Sequence, residues 1–162
     1  FLRLLSVRRA LLLAALVLVP SLAAAQSRTD FTGRWVLAPD KSDFGSPQAA
    51  MTGRTDVMTQ TADSLTVVRT QATPEGPAEF LFRYALDGKE HVNIHPNQEV
   101  RSAIGGDGPV MVMTSKVKVP AADIDVVDRY TLSTDGQTLV IQRHMMVPGR
   151  GELHQTLVME KR

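Results

Sequence analysis

The sequence predicts an all-β domain, an antiparallel up-and-down meander of eight to ten strands closed into a barrel. Three observations carry this. After Gln26, β-branched and aromatic residues alternate with polar ones at period 2, while a 3.6-residue apolar period is almost absent. The runs are broken about every dozen residues by Gly, Pro, Asn and Asp, residues that supply positive φ or preset it. The links are short, so consecutive strands pair antiparallel, and closure removes the exposed edges of so many strands.

Residues 1–25 are expected to be a signal peptide rather than part of the barrel. Arg3, Arg8 and Arg9 precede an unbroken apolar run from Ala10 to Val19, followed by Pro20, Ser21 and the small residues Ala23 to Ala25. Such a run spans only about 15 Å as a helix, half of a bilayer's hydrocarbon core, so no stable membrane anchor is expected. The leader implies export to a periplasm or to the medium, and residues 26–162 form the domain.

Within it, strands are expected over Phe31 to Leu37, Arg54 to Gln60, Ser64 to Gln71, Ala78 to Leu86 and Lys89 to His95. The second half gives Gln98 to Ile104, Val110 to Val119, Asp123 to Ser133, Thr138 to Val147 and Gly151 to Glu160. Asp87-Gly88, Pro96-Asn97, Asp135-Gly136 and Pro148-Gly149 are among the turns between them. The one long connection, Ala38 to Thr52, holds two Pro and one Gly and is placed to act as a lid over a barrel mouth.

Composition narrows the function. Of 18 basic residues the leader takes three and none of the 17 acidic ones, so the mature domain is slightly acidic. Nucleic-acid binding is set aside on that ground. There is no cysteine, hence no disulfide framework, and the core must hold the fold alone. Gly-x-Ser-x-Gly and His-Glu-x-x-His are both missing, and no catalytic residue is assigned. Gly105-Gly106-Asp107-Gly108 precedes a strand rather than a helix, so it reads as a hairpin turn and not a phosphate cradle.

The last two hairpins can be registered from their loops. With Asp135-Gly136 as a two-residue turn, Leu132 faces Leu139, Tyr130 faces Ile141 and Asp128 faces Arg143. With Pro148 to Arg150 as the next loop, Arg143 faces Gln155 and Ile141 faces Leu157. One apolar face runs through all three strands, and it carries an inward polar cluster of Asp128, Arg143 and Gln155. Buried charge must be paired, so this cluster reads first as structural and second as an anchor for the polar head of an apolar ligand. Asp128 neutralises the guanidinium, which argues against a carboxylate ligand. The same register places His144 opposite His154 on the outer face near Glu152. Two imidazoles and a carboxylate could hold zinc or copper, but no third ligand stands at a spacing that the sequence fixes, so the pair is expected to be solvated and no metal site or cofactor is assigned. His91 and His95 share a parity but lie about 13 Å apart along their strand.

Gly33-Arg34-Trp35 opens the first strand as the Gly-x-Trp motif of lipocalins and wider calycins does. More extended similarity, over 31–45, 86–90 and 132–143, links the chain to exported bacterial lipocalin-like proteins of unassigned function. The resemblance implies a barrel that holds a small apolar ligand, with Trp35 packed beneath an Arg of a late strand, here Arg143. Trp35, Phe80, Phe82, Tyr84, Tyr130 and Arg143 are the expected lining or floor residues of a non-catalytic binder of a small apolar or amphipathic molecule. The alternative is a protein-interaction module, inhibitor-like, with a filled core.

Overall fold

Ten strands form where the alternation places them. A computed structural model describes residues 28–162, and the expected signal peptide lies outside them. The strands are β1 (Gly33–Leu37), β2 (Arg54–Gln60), β3 (Ser64–Thr73), β4 (Gly76–Ala85), β5 (His91–His95), β6 (Gln98–Asp107), β7 (Val110–Val119), β8 (Ala122–Leu132), β9 (Thr138–Val147) and β10 (Gly151–Lys161). All belong to one antiparallel sheet in the order β4-β3-β2-β1-β10-β9-β8-β7-β6-β5. Pairing of β1 with β10 wraps the meander into a nearly closed barrel. Both hairpin registers read from the sequence hold: Asp128 faces Arg143, and Arg143 faces Gln155.

The wrap leaves one seam, between β4 and β5. There the Asn93 side chain acts as a piece of strand. Its Oδ1 accepts from the Arg83 N–H at 2.8 Å, and its Nδ2 donates to the Arg83 carbonyl at 3.1 Å. A buried amide thereby closes the ladder that the backbone does not.

One barrel end is plugged by the segment before β1. The first strand starts at Gly33 rather than Phe31 because the chain turns Phe31 inward, fully buried and edge-on to Tyr130 with ring centroids 6.1 Å apart. Gln60 clamps the plug, accepting from the Phe31 N–H at 3.1 Å and donating to the Thr29 carbonyl at 2.9 Å. Leu139, Ile141, Leu157 and Met159, the inward parity of β9 and β10, are likewise fully buried. Burying each such side chain stabilises the fold by roughly 1.5–3 kcal/mol.

At the other end of β1, the connection to β2 runs as a strap with two short 3-10 turns, Pro39–Lys41 and Pro47–Ala49. The strap is tied to β10. Ala38 N–H donates to the Val158 carbonyl at 2.8 Å, and Asp43 and Thr156 exchange backbone bonds of 2.8 and 2.7 Å. Phe44 and Met51 pack from it onto the core. Gly45 permits the close approach: its φ is +73°, and a Cβ there would stand 2.2 Å from the His154 carbonyl oxygen. Gly45→Ala is therefore expected to push the strap off β10 and to cost more than about 1 kcal/mol. Limited proteolysis would show new cleavage within residues 38–52, and an unchanged digest and urea midpoint would contradict the close contact.

Candidate functional site

Inward parity brings a polar belt into the middle of the barrel. From β2 and β3, Asp56 stands opposite Arg69. Asp56 is fully buried and accepts two bidentate pairs: Arg54 Nε and Nη2 at 3.0 and 2.6 Å, and Arg69 Nε and Nη2 at 2.9 and 3.0 Å. From β8 and β9, Arg143 Nε and Nη2 reach the two carboxylate oxygens of Asp128, each at 2.8 Å. Such fork-to-carboxylate geometry is the strong form of an ion pair. Burial alone would push the Asp56 carboxyl up, but the Arg54 and Arg69 guanidiniums outweigh it and hold it well below the usual carboxylate range. Burial opposes the charge on Arg69 as well, and Asp56 overrides it, so this guanidinium stays charged.

Three guanidiniums meet two carboxylates, so the belt carries one positive charge in excess. Asp128 neutralises Arg143 as expected, and the surplus arises at Asp56, whose single carboxylate serves both Arg54 and Arg69. Beside the belt lies a cavity of about 220 Å³. Arg69, Arg143 and the paired Asp128 supply its charged lining and Tyr84 and Tyr130 its phenols, while Val100, Met113, Val117, Ile124, Val126 and Met145 supply an apolar wall. Burial pushes both phenols up, so each keeps its O–H as a donor. Among the described residues, neither phenol O–H and neither Nη1 of Arg69 or Arg143 has a hydrogen-bond partner. Four donor groups are thus unspent at one cavity. A wider hollow of about 650 Å³ at the plugged end is bounded largely by exposed turn residues such as Thr61, Asp63 and Asp87, and it holds no comparable set.

Of the residues expected to line a ligand site, Tyr84, Tyr130 and Arg143 do so. Phe82 lies behind them, its ring stacked on Tyr84 at 6.0 Å and covered by Arg69, whose Cζ is 5.1 Å from the centroid. Phe80 continues the row at 6.3 Å from Phe82, and His95 packs edge-on against both phenyl rings. Burial, followed by the Arg69 charge, lowers the His95 pKa and keeps that imidazole neutral.

Trp35 is fully buried but does not meet Arg143. Its indole N–H donates to the Phe31 carbonyl at 2.9 Å, and the cation over its ring is Lys161, with Nζ 5.3 Å from the centroid. Trp35 pairs with Lys161 in the β1–β10 ladder, whereas Arg143 pairs with Gln155, six residues and about 20 Å back along β10. Gly33 makes the crossing possible: its φ is +152°, and a Cβ would come within 2.7 Å of Lys161 Cε.

Gln155 also departs from expectation. It stands opposite Arg143, yet its Nε2 donates to the Phe44 carbonyl at 3.1 Å and so holds the strap rather than the cluster. The residues that sequence reasoning missed are Arg54, Asp56 and Arg69. Their signal was the register of the short β2–β3 hairpin, which places Asp56 opposite Arg69.

No family model matches the chain, and no curated protein matches it significantly. Three solved structures share its architecture. A secretory abundant heat soluble protein of Ramazzottius varieornatus superposes with a TM-score of 0.60 at 15% identity, covering 85% of this chain and 98% of that one. The zebrafish ileal bile acid-binding protein complexed with cholic acid gives 0.56 at 13%, covering 82% and 98%. Secretory abundant heat soluble protein 4 of Ramazzottius varieornatus gives 0.54 at 15%, covering 83% and 97%. At these identities the likeness is one of fold, and the fold is a ten-stranded lipocalin-like barrel.

Proposed function

We propose that the protein is an exported, non-catalytic binder of a small amphipathic anion, held with its charged head against Arg69, Arg143, Tyr84 and Tyr130. One observation carries this: a belt with one surplus positive charge presents four unspent donor groups to a cavity whose other wall is apolar. A buried surplus charge is costly unless a counter-charge meets it, and a carboxylate head supplies one. The zebrafish protein's complex with cholic acid supports the reading, because there a barrel of this fold holds an amphipathic carboxylic acid. At about 220 Å³ the cavity is below the roughly 300–1,000 Å³ typical of drug-sized ligands, so the guest is small or the strap shifts to admit more of it. Export rests on the leader.

Calorimetric titration with matched carboxylates, alcohols and amines of four to twelve carbons is the test. Carboxylates should bind saturably at roughly micromolar strength, with the matched alcohols at least tenfold weaker. Tyr84→Phe, which keeps the ring stacking and removes only the hydroxyl, should weaken carboxylate binding severalfold. Equal binding of alcohols or amines, or no binding by any carboxylate to folded protein, would overturn the reading. In the last case the interaction-module alternative gains, since Val92 and Ile94 are exposed on β5.

A further inference from the structure

We propose that His144, Glu152 and His154 form a zinc-type metal site on the outer face of the β9–β10 hairpin. This site is independent of the barrel cavity. The ladder sets His144 directly opposite His154, and Glu152 lies two residues before His154, hence on the same face. The imidazoles stack with centroids 4.5 Å apart and planes within 12°. One carboxylate oxygen, Glu152 Oε2, is 3.5 Å from the Nε2 of His144 and 3.5 Å from the Nε2 of His154. Each residue offers one ligand atom within 4.8 Å of the other two.

Those distances are long for hydrogen bonds, whose N···O separation is about 2.7–3.2 Å. They suit a shared cation better. In a tetrahedral site with ligands about 2.0–2.1 Å from zinc, neighbouring donor atoms are about 3.3–3.4 Å apart, so small turns of the rings about χ2 complete the set. A second observation points the same way. His144 Nε2 is shut off from solvent and has no hydrogen-bond partner, a state that few buried polar atoms tolerate. A metal ion in the gap satisfies this nitrogen, and neutral imidazole is a ligand form zinc accepts. Two histidines and one carboxylate leave one vertex, and the exposed side chains of Glu152 and His154 leave it open to water. The sequence alone left this pair short of a third ligand. The fold supplies it by bringing one Glu152 carboxylate oxygen equally close to both Nε2 atoms.

The test is calorimetric titration of untagged protein with Zn²⁺ at pH 7.5, joined by visible absorption on adding Co²⁺. One Zn²⁺ per chain should bind at roughly micromolar strength, and Co²⁺ should give the intense d–d bands of four-coordination. His144→Ala and His154→Ala should each weaken Zn²⁺ binding at least thirtyfold, and Glu152→Gln at least fivefold. Each metal-free variant should melt as the wild type does, since all three side chains lie on the surface. In the wild type, ¹⁵N spectra should show the ring nitrogens of both histidines shifting together on addition of Zn²⁺, a readout that needs no variant. Absence of saturable binding below about 1 mM, or retention of full affinity in any of the three variants, would overturn the site.

Discussion

Replacing Asp56 by Asn is expected to cost about 3–5 kcal/mol of folding stability, the penalty for leaving buried charge without its partner. The effect is large because one carboxylate serves two guanidiniums, and the Arg54 side chain is almost completely buried with it. Urea unfolding should show the midpoint falling with the m-value unchanged. A loss under about 1 kcal/mol would mean that water reaches the belt freely. The same group fixes a pH dependence. The Asp56 pKa is depressed in the folded state, so its stabilisation is fully present above the unfolded value near 3.9 and is lost as pH falls toward the folded value. Wild-type stability should therefore fall below about pH 4 more steeply than that of Asp56→Asn, and parallel acid profiles would contradict the assignment.

A double-mutant cycle between Asp128 and Arg143 should return a coupling well above the few tenths of a kcal/mol usual for exposed pairs. Removing either partner alone should cost up to about 3–5 kcal/mol, toward the lower end because Arg143 borders the cavity. Lys41 and Glu160 provide a control in the same molecule. Their contact is short, at 2.6 Å, yet Lys41 is largely exposed, so that pair should couple far more weakly than Asp128 and Arg143. Equal couplings for the two pairs would mean that burial does not set their strength.

The part of the site on β8, β9 and β10 was legible because short turns fix both hairpins and the apolar parity is clean. Asp128 opposite Arg143 follows from counting back from Asp135-Gly136. The other half was not legible by the same route. In β2 the inward positions are Arg54, Asp56 and Met58, while Val57 faces outward and is partly exposed, so hydropathy marks no face. Only hairpin geometry identifies the polar side as the buried one. The cation above Trp35 was within reach, since Lys161 shares the parity of Leu157 and Met159. The motif's expectation of an arginine pointed instead to Arg143. Gln155 was beyond any local rule, because its partner is a carbonyl of the strap 111 residues earlier in the chain.

The Asn93 bridge bears on what keeps this barrel from joining others. A wrapped sheet of ten strands that pairs β1 with β10 has two terminal strands, β4 and β5, whose outward backbone groups would otherwise be free to template a neighbouring chain. A single amide at the centre of β5 occupies both the N–H and the carbonyl of Arg83, and so consumes a pairing position near the C-terminal end of β4. The neighbouring side chains raise the stakes: Leu81 on β4 and Val92 and Ile94 on β5 are exposed, with Ile94 68% accessible. Apolar and uncharged, and β-branched at Val92 and Ile94, they have the composition from which intermolecular sheets grow. Intramolecular capture by Asn93 competes with that growth without requiring a longer β5, which makes the seam a solubility element of the fold.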